Sequence, residues 1–288
     1  MRVIAAESRE QRSEERDVVR LGLIGCGSIG STVAAAIARG AAPEMELIGL
    51  ADPVSPQAAM RVAAAARCPV CPDIASLLKL GPSVVLEAAS ADAVRNYAGR
   101  IFDSGADLMM VSVGALADPG FLECLIEHAR KKGRRLFVPS GAIGGIDIIK
   151  AAAVGGLEEC RLATTKHPAS LSAAYVRQQG IDLVNIRQAT LIFEGTALQA
   201  VRHFPRNMNV AVTISLAGLG LERTTVRVIA DPEATHNIHE VFVRGAFGEA
   251  TVRLVNLPSI ENPRSSSLVC YSVIAALQSI GRQFQLGA

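Results

Sequence analysis

The chain has 288 residues, of which 50% are hydrophobic and 19% are charged, and its formal net charge is +2 at pH 7. This composition suffices for a large core in one or two domains and is not typical of a disordered protein. No basic stripe interleaved with aromatic residues occurs, and no apolar run reaches the ~18 residues of a membrane span. We therefore expect neither a nucleic-acid nor a membrane partner. Residues 1–17 are polar and rich in Glu and Arg, which predicts a flexible N-terminal extension without a targeting role.

The six cysteines are scattered along the chain. Cys68 and Cys71 form a CxxC pair, but no second CxxC and no close pair of histidines completes a zinc site. We expect no metal site, and we expect reduced thiols in a cytoplasmic protein.

A glycine-rich stretch follows the first apolar run. Residues 18–24 predict a buried strand, G-C-G-S-I-G at residues 25–30 predicts a tight turn, and the alanine-rich residues 31–39 predict a helix. In this context the glycines form the turn, let a pyrophosphate approach the backbone and let the helix pack on the strand. The N–H groups and dipole of the helix start attract phosphates. The expected cofactor contacts in this stretch are Gly25, Gly27, Ser28, Ile29 and Gly30.

Two further strand ends belong to the same predicted cofactor site. Residues 47–51 form a second apolar strand that ends at Asp52, which is 22 residues after Gly30. About 20 residues is the usual distance to the acid that binds the ribose hydroxyls. Because this carboxylate would repel the additional phosphate of NADP, we expect a preference for NAD, with NADP as an alternative. A third strand at 83–86 leads to Ala89, another expected cofactor contact.

The chain alternates apolar strands and helices up to residue 139, which predicts an α/β fold with a doubly wound parallel Rossmann sheet. From about residue 159 hairpin-like strands dominate, which predicts a second α+β domain. We expect a dinucleotide-binding domain at 18–142 and a substrate domain, also used for dimerisation, at 143–263. The terminal segment 264–288 is expected to return its helix to the first domain.

Eight motifs occur in a characteristic order: Gly25-Cys-Gly-Ser-Ile-Gly30, Ser112-Val-Gly-Ala-Leu116, Ser140-Gly-Ala-Ile-Gly-Gly145, Phe204-Pro-Arg-Asn-Met-Asn-Val210, Ala230-Asp-Pro232, Asn237-Ile-His239, Gly245-Ala-Phe-Gly248 and Asn262-Pro-Arg-Ser265. With them, residues 20–280 resemble the L-aspartate dehydrogenases. The resemblance implies a Rossmann domain with a mixed α/β substrate domain, usually in a homodimer. It implies NAD(P)-dependent oxidation of L-aspartate to iminosuccinate. This product hydrolyses to oxaloacetate and ammonia or feeds NAD biosynthesis.

The resemblance also assigns site residues. It implies His239 as the catalytic residue and Ala142 and Asn209 as cofactor contacts. The chain departs from the family pattern at Arg264, where a lysine is common, and this change keeps the charge but alters its geometry. A second departure is the N-terminal extension.

Hydride leaves the α-carbon of an amino acid only when the amine is neutral, so a base near pH 7 is needed, and histidine suits this role. Of the five histidines, His239 begins a predicted strand and shares a face with Val241 and Val243. It would deprotonate the substrate ammonium or activate the water that attacks the imine. The alternative is a half-buried core histidine. His167 and His203 border the predicted crevice without an evident orienting partner.

A dicarboxylate substrate needs cations or N–H donors. Lys166 and Thr164, at the end of a predicted strand, are the expected substrate contacts, although Lys166 could equally be a solvated surface residue. Arg206, Arg264 and the N–H groups of residues 141–144 are alternatives. Asn209, like Asn207, could instead cap the helix that follows.

Other functions remain open for this pattern. One is a different Rossmann oxidoreductase, similar to homoserine dehydrogenase or dihydrodipicolinate reductase. Another is a non-catalytic NAD-binding sensor. A sensor has no need for His239, Asn209 and Lys166 together, so the polar chemistry of the second domain separates these alternatives.

Overall fold

The computed structural model describes residues 18–171, 174–204, 208–257, 266–284 and 286. The predicted N-terminal extension at 1–17 lies outside the described residues. Within them, no helix is both long and apolar enough to cross a membrane.

The first sheet is parallel and is covered by helices. Its strands are β1 (Val19–Ile24), β2 (Met45–Ala51), β3 (Val84–Glu87), β4 (Asp107–Met110) and β5 (Leu136–Phe137). The helices between them are α1 (Ser28–Ala38), α2 (Pro56–Ala66), α3 (Ile74–Lys79), α4 (Ala91–Asp103) and α5 (Pro119–Lys132). The strand order is β2-β1-β3-β4-β5. This confirms the doubly wound Rossmann-like sheet, whose order reverses beside β1, where such sheets bind ligands.

The second sheet is mixed. Its strands are β6 (Leu157–Lys166), β7 (Thr190–Thr196), β8 (Thr225–Ala230), β9 (Asn237–Gly245) and β10 (Gly248–Asn256), in the order β10-β9-β6-β8-β7. The helices of this half are α6 (Ile146–Gly155), α7 (Ala174–Gln178), α8 (Ala197–His203) and α9 (Asn209–Ala217), and the C-terminal helix is α10 (Ser267–Gly281). The hairpin pattern predicted from the sequence holds for β7–β8 and β9–β10, but β6 pairs in parallel with β8. This pairing places β6 at the centre of the sheet.

The two sheets share a continuous hydrophobic core. A 3₁₀ helix at Val113–Ala117 follows β4 and packs against α9, so that Val113 and Leu116 join the same buried cluster as Met208 and Ala211. The C-terminal helix α10 packs on the side of the first sheet opposite the 3₁₀ helix. There Val273 and Leu277 belong to the buried cluster that contains residues of α1 and β1. We propose residue 142 as the boundary between the domains, because the strands of the two sheets lie on either side of it.

The turn into the 3₁₀ helix depends on a buried carboxylate at the end of β3. Glu87 is 1% exposed and accepts hydrogen bonds from the backbone N–H groups of Ala89, Ser90 and Ser112 and from the Ser112 hydroxyl. Burial raises the pKa of Glu87, and these donors act against that increase. The apolar run at residues 108–113 by itself predicts a strand that continues to residue 113. In the structure β4 ends at Met110, because hydrogen bonds from Ser112 to Glu87 fix the loop that follows.

Candidate active site

A cavity of about 160 Å³ lies between the two sheets, at the carboxyl edge of the first. Its wall combines the start of α1, the loops after β4 and β5, the ends of β6 and β9, and helices α9 and α10. The lining residues that bear on chemistry are Ile29, Ala142, Lys166, Asn209, Asn237 and His239. We call this space the active-site cavity. It brings together five of the residues selected from the sequence, which are far apart along the chain.

The imidazole of His239 is buried and oriented by a neighbouring strand. His239 is 4% exposed, and its Nδ1 lies 3.1 Å from Oγ1 of Thr164, the residue directly opposite on β6. This contact leaves Nε2 as the ring nitrogen available to a molecule in the active-site cavity. Burial, and after it the positive charge of Lys166, lowers the pKa of His239 to about 3. A base titrating near pH 7 was expected from the sequence. Burial of the ring instead favours its neutral form, which is the form that accepts a proton.

Thr164 differs from its expected role as a substrate contact. It is 0% exposed and does not belong to the cavity wall, because it lies deeper in the sheet than Lys166, two residues away on the same face. Its hydroxyl contacts His239 instead. Thr164 is therefore placed to orient the imidazole.

Lys166 is a buried cation in the cavity wall. It is 6% exposed, and burial lowers its pKa. Among the described residues, no Asp or Glu lies within ion-pair distance of its ammonium group, and none lines the cavity. An isolated buried charge raises the free energy of the folded state, so the cavity is electrostatically suited to an anionic ligand. The alternative of a solvated surface lysine is wrong.

Asn209 joins the two halves of the molecule at the cavity wall. Its Oδ1 accepts a hydrogen bond of 3.0 Å from the backbone N–H of Gly114. Asn209 is the first residue of α9, whose N-cap is Met208, so the capping role considered for Asn209 is not observed. With the oxygen occupied, the amide N–H groups are the donors available to a ligand.

The stretch after β5 is held from two sides. Nδ2 of Asn256 donates to the carbonyl oxygen of Ala142 at 3.0 Å, and the N–H of Gly141 donates to Oγ of Ser272 at 3.1 Å. The alternative anion site at residues 141–144 loses support, because α6 begins only at Ile146 and one of these N–H groups already has a partner. The sequence analysis missed Asn256 and Ser272, for which no local pattern gave a signal.

Asn237 is a further residue of the cavity wall that was not selected from the sequence. It lines the active-site cavity at 8% exposure, and it lies two residues before His239 on the same face of β9. The period-2 alternation that selected His239 would also have selected Asn237.

The glycine turn fits a pyrophosphate. Gly25 has φ +93° and lies against Ala89, whereas a Cβ at Gly27 would meet no atom within 4 Å. The space above Gly27 is therefore open to a ligand. Residues 28–31, the first turn of α1, contain no acidic side chain, so nothing there offsets the positive end of the helix dipole.

The carboxylate of Asp52 lies directly beside this turn. Its Oδ2 accepts from the N–H of Cys26 at 2.9 Å, and its Oδ1 accepts from Val54 and Ser55. A carboxylate has about four acceptor positions, so Asp52 keeps capacity for a ribose hydroxyl. Ala89 lies at the same edge but outside the cavity wall, and its N–H donates to Glu87.

Two glycines in this turn are expected to respond differently to substitution. Gly27→Val should abolish NAD binding and leave the melting temperature nearly unchanged, because the new side chain enters open space. Gly30→Ala should lower the free energy of unfolding by at least about 2 kcal/mol, since its Cβ would overlap the carbonyl oxygen of Gly25. Calorimetric titration with NAD and thermal unfolding measure the two effects. Unimpaired NAD binding by Gly27→Val would contradict the assignment of the turn.

The remaining candidates lie elsewhere or outside the described residues. His203 stacks on Tyr175, and Nδ1 of His167 accepts from the N–H of Ala169, so neither faces the active-site cavity. Arg206, Asn207 and Arg264 lie outside the described residues. The described part of the chain holds no cluster of three or more His, Cys, Asp or Glu residues suited to a metal ion.

Comparison with known proteins identifies the family. The chain is 41% identical to the L-aspartate dehydrogenase of Methanosarcina acetivorans and 42% identical to that of Methanosarcina mazei, over 94% of this chain and 100% of each relative. The chain belongs to the L-aspartate dehydrogenase family. A crystal structure of aspartate dehydrogenase from Thermotoga maritima matches with a TM-score of 0.71 and 28% identity, covering 93% of this chain and 99% of that chain.

Family models separate the two halves of the molecule. The model described as "Homoserine dehydrogenase, NAD binding domain" matches residues 25–139, and the one described as "Aspartate dehydrogenase, C-terminal" matches residues 147–280. The likeness to homoserine dehydrogenase considered from the sequence is thus found in the first half. The second half, which carries Lys166 and His239, matches the L-aspartate dehydrogenase family.

Proposed function

We propose that this chain is an NAD(P)-dependent L-aspartate dehydrogenase that oxidises L-aspartate to iminosuccinate, which then hydrolyses to oxaloacetate and ammonia. The observation that carries this proposal is that one small cavity beside the glycine turn holds both His239 and a buried Lys166 that has no acidic partner among the described residues. Family membership supports the same reaction.

The substrate is held by charge. A carboxylate of aspartate pairs with the ammonium group of Lys166, and the side-chain amide of Asn237 offers an adjacent N–H donor. The substrate supplies the negative charge that the described cavity wall lacks. A neutral amino acid carries one carboxylate fewer and leaves part of this positive potential uncompensated.

His239 is the base that removes the proton from the substrate ammonium. Its Nε2 accepts the proton of the substrate ammonium, provided that Nδ1–H donates to Oγ1 of Thr164, which fixes the required tautomer. Burial makes the ring hard to protonate, but the two substrate carboxylates raise its pKa once they are bound. The neutral amine produced in this way can lose hydride from its α-carbon. After releasing that proton to solvent, Nε2 of His239 can again act as a base and take a proton from the water that attacks the protonated imine.

The bound cofactor supplies the nicotinamide ring that accepts the hydride. The residues that hold it are the glycine turn at 25–30 for the pyrophosphate, and Ile29, Ala142 and Asn209 on the nicotinamide side. The amide of Asn209 would donate a hydrogen bond to the nicotinamide or its ribose. Asp52 would hold the hydroxyls of the other ribose.

Asp52 sets the preference between the two cofactors. Asp52→Asn removes the negative charge but keeps one acceptor oxygen, so the ratio of kcat/KM for NADP to that for NAD is expected to rise by about tenfold. Steady-state rates with the two cofactors, each as the varied substrate, measure this ratio. An unchanged ratio would show that the carboxylate is remote from the 2′ position.

A panel of L- and D-amino acids tests the reaction itself. NADH formation is followed at alkaline pH, with L-aspartate, L-asparagine, L-glutamate, L-alanine and D-aspartate at equal concentration. Turnover confined to L-aspartate supports the proposal. Turnover with another amino acid contradicts the aspartate assignment, and no turnover in protein that binds NAD favours a sensor.

We further propose that the chain forms a homodimer through the outer face of its second sheet. Helices α6, α8 and α9 pack against the opposite face. The outer face carries Phe242, Val255 at 50% exposure, and an ion-paired group in which Glu159 contacts Arg161 and Arg244. Light scattering should give twice the chain mass. A cytoplasmic location, supported by six cysteines that form no disulfide in the described part of the chain, and a link to NAD biosynthesis complete the proposal.

A further inference from the structure

A groove lies on the other side of the α1 N-terminus from the active-site cavity. Its wall comes from the glycine turn, from α1 and from one face of α2, and its polar members are Cys26, Ser28, Ser31 and Arg61. The remaining wall residues are glycine, alanine and valine. Arg61 is the sole charged side chain among the described residues that line this space, which we call the α1–α2 groove.

Consecutive residues at the start of α1 face the two spaces. Ser28 lines the α1–α2 groove, and Ile29 lines the active-site cavity. A dinucleotide with its pyrophosphate at this helix start and its nicotinamide in the active-site cavity must extend its adenosine half towards the groove. Asp52 lies on the same side, because its carboxylate bonds to the N–H of Cys26, a groove residue. The 2′ position of the adenosine ribose is therefore expected on the side of the helix start where Asp52 and Arg61 lie.

Asp52 and Arg61 differ in how far neighbouring groups already compensate their charges. Asp52 accepts from three backbone N–H groups, which partly offset its negative charge. Arg61 is exposed and forms no ion pair with any residue in the described ranges. Its planar guanidinium is suited to bidentate contact with a phosphate. No described acidic residue lines the groove to compete for it.

We infer that Arg61 recognises the 2′-phosphate of NADP and so allows this chain to use NADP in spite of Asp52. The inference builds on the proposed dehydrogenase function, but the binding event itself does not involve the amino-acid substrate. It adds a second specificity residue to Asp52, with the opposite effect.

Fragments of the cofactor test this assignment without catalysis. Calorimetry compares 2′,5′-ADP, which carries the 2′-phosphate, with 5′-AMP, which lacks it. Arg61→Ala should weaken binding of 2′,5′-ADP by about tenfold or more and change 5′-AMP by less than about twofold. Arg61→Lys keeps the charge but not the fork, and should give an intermediate loss. The matched control is Arg39→Ala, an exposed cation at the other end of α1, which should alter neither ligand.

Three results would overturn the inference. Equal weakening of both fragments would show that Arg61 binds a phosphate common to the two cofactors. Unchanged binding of 2′,5′-ADP by Arg61→Ala, or no measurable binding of it by the unsubstituted chain, would show that Arg61 does not recognise the 2′-phosphate. Failure to oxidise L-aspartate would contradict the proposed function and leave these binding results unaffected.

Discussion

His239→Ala is expected to lower kcat/KM for L-aspartate by about 10³-fold, within the range of general acid–base catalysis, while the dissociation constant for NAD changes by less than about twofold. The reason is that the substrate ammonium then has no acceptor for its proton. Stopped-flow or steady-state NADH formation measures the rate, and calorimetry measures NAD binding. His239→Gln, which keeps a neutral polar side chain of similar length, should be equally impaired.

Two controls separate catalysis from structure. His128→Ala removes a surface histidine that pairs with Asp103 and should leave the rate unchanged. Thr164→Ser keeps the hydroxyl beside Nδ1 and should retain most of the activity, whereas Thr164→Val should lose a substantial part of kcat. A nearly normal rate in His239→Gln would rule out the imidazole as the base.

Lys166→Met is expected to stabilise the fold and to abolish efficient turnover at the same time. Folding must desolvate an ammonium group that has no acidic partner in the described residues, and methionine fills a similar volume without that cost. The free energy of unfolding should rise by about 1–2 kcal/mol. Because the cation is the proposed carboxylate contact, kcat/KM for L-aspartate should fall by about 100-fold or more.

The stabilisation by Lys166→Met is expected to decrease as the pH rises. Burial lowers the pKa of Lys166 below its ordinary value of 10.5, so Lys166 destabilises the fold at pH values where the lysine of the unfolded chain is protonated, and this penalty vanishes once the unfolded lysine also loses its proton. The difference in melting temperature between Lys166→Met and the unsubstituted chain should therefore narrow as the pH approaches 10.5. Lys150→Met, at an exposed position on α6, is the control and should show neither effect. A destabilised Lys166→Met variant would contradict this account.

Local patterns allowed much of the fold and several site positions to be predicted. The glycine turn and Asp52 were identifiable because each depends on a short stretch whose chemistry is written in consecutive residues. The α/β class followed from the alternation of apolar strands and helices, and the family followed from motifs in order. Helix α5 is an example of a locally encoded element, because Asp118 accepts from the N–H of Phe121 at its start and Gly133 adopts a left-handed conformation after its end.

Predictions from the sequence were wrong where a residue distant in the chain determines the local structure or the role of a side chain. The strand after residue 107 ends early because Glu87, from another strand, bonds to Ser112. Asn209 resembles a helix cap, but its oxygen is used by Gly114, 95 positions earlier in the chain. Thr164 resembles a substrate contact until the register of β6 against β9 places it opposite His239.

The sequence by itself determined the cofactor fold, the family and the identity of the chemical groups, because strand periodicity, turn glycines and ordered motifs are local properties of a chain. Only the tertiary structure decided how those groups behave. Burial makes His239 a neutral acceptor rather than a base titrating near pH 7 and leaves Lys166 without a described acidic partner. Both properties depend on which surfaces exclude water from the space between two sheets, and that exclusion exists only once residues distant in sequence have packed together.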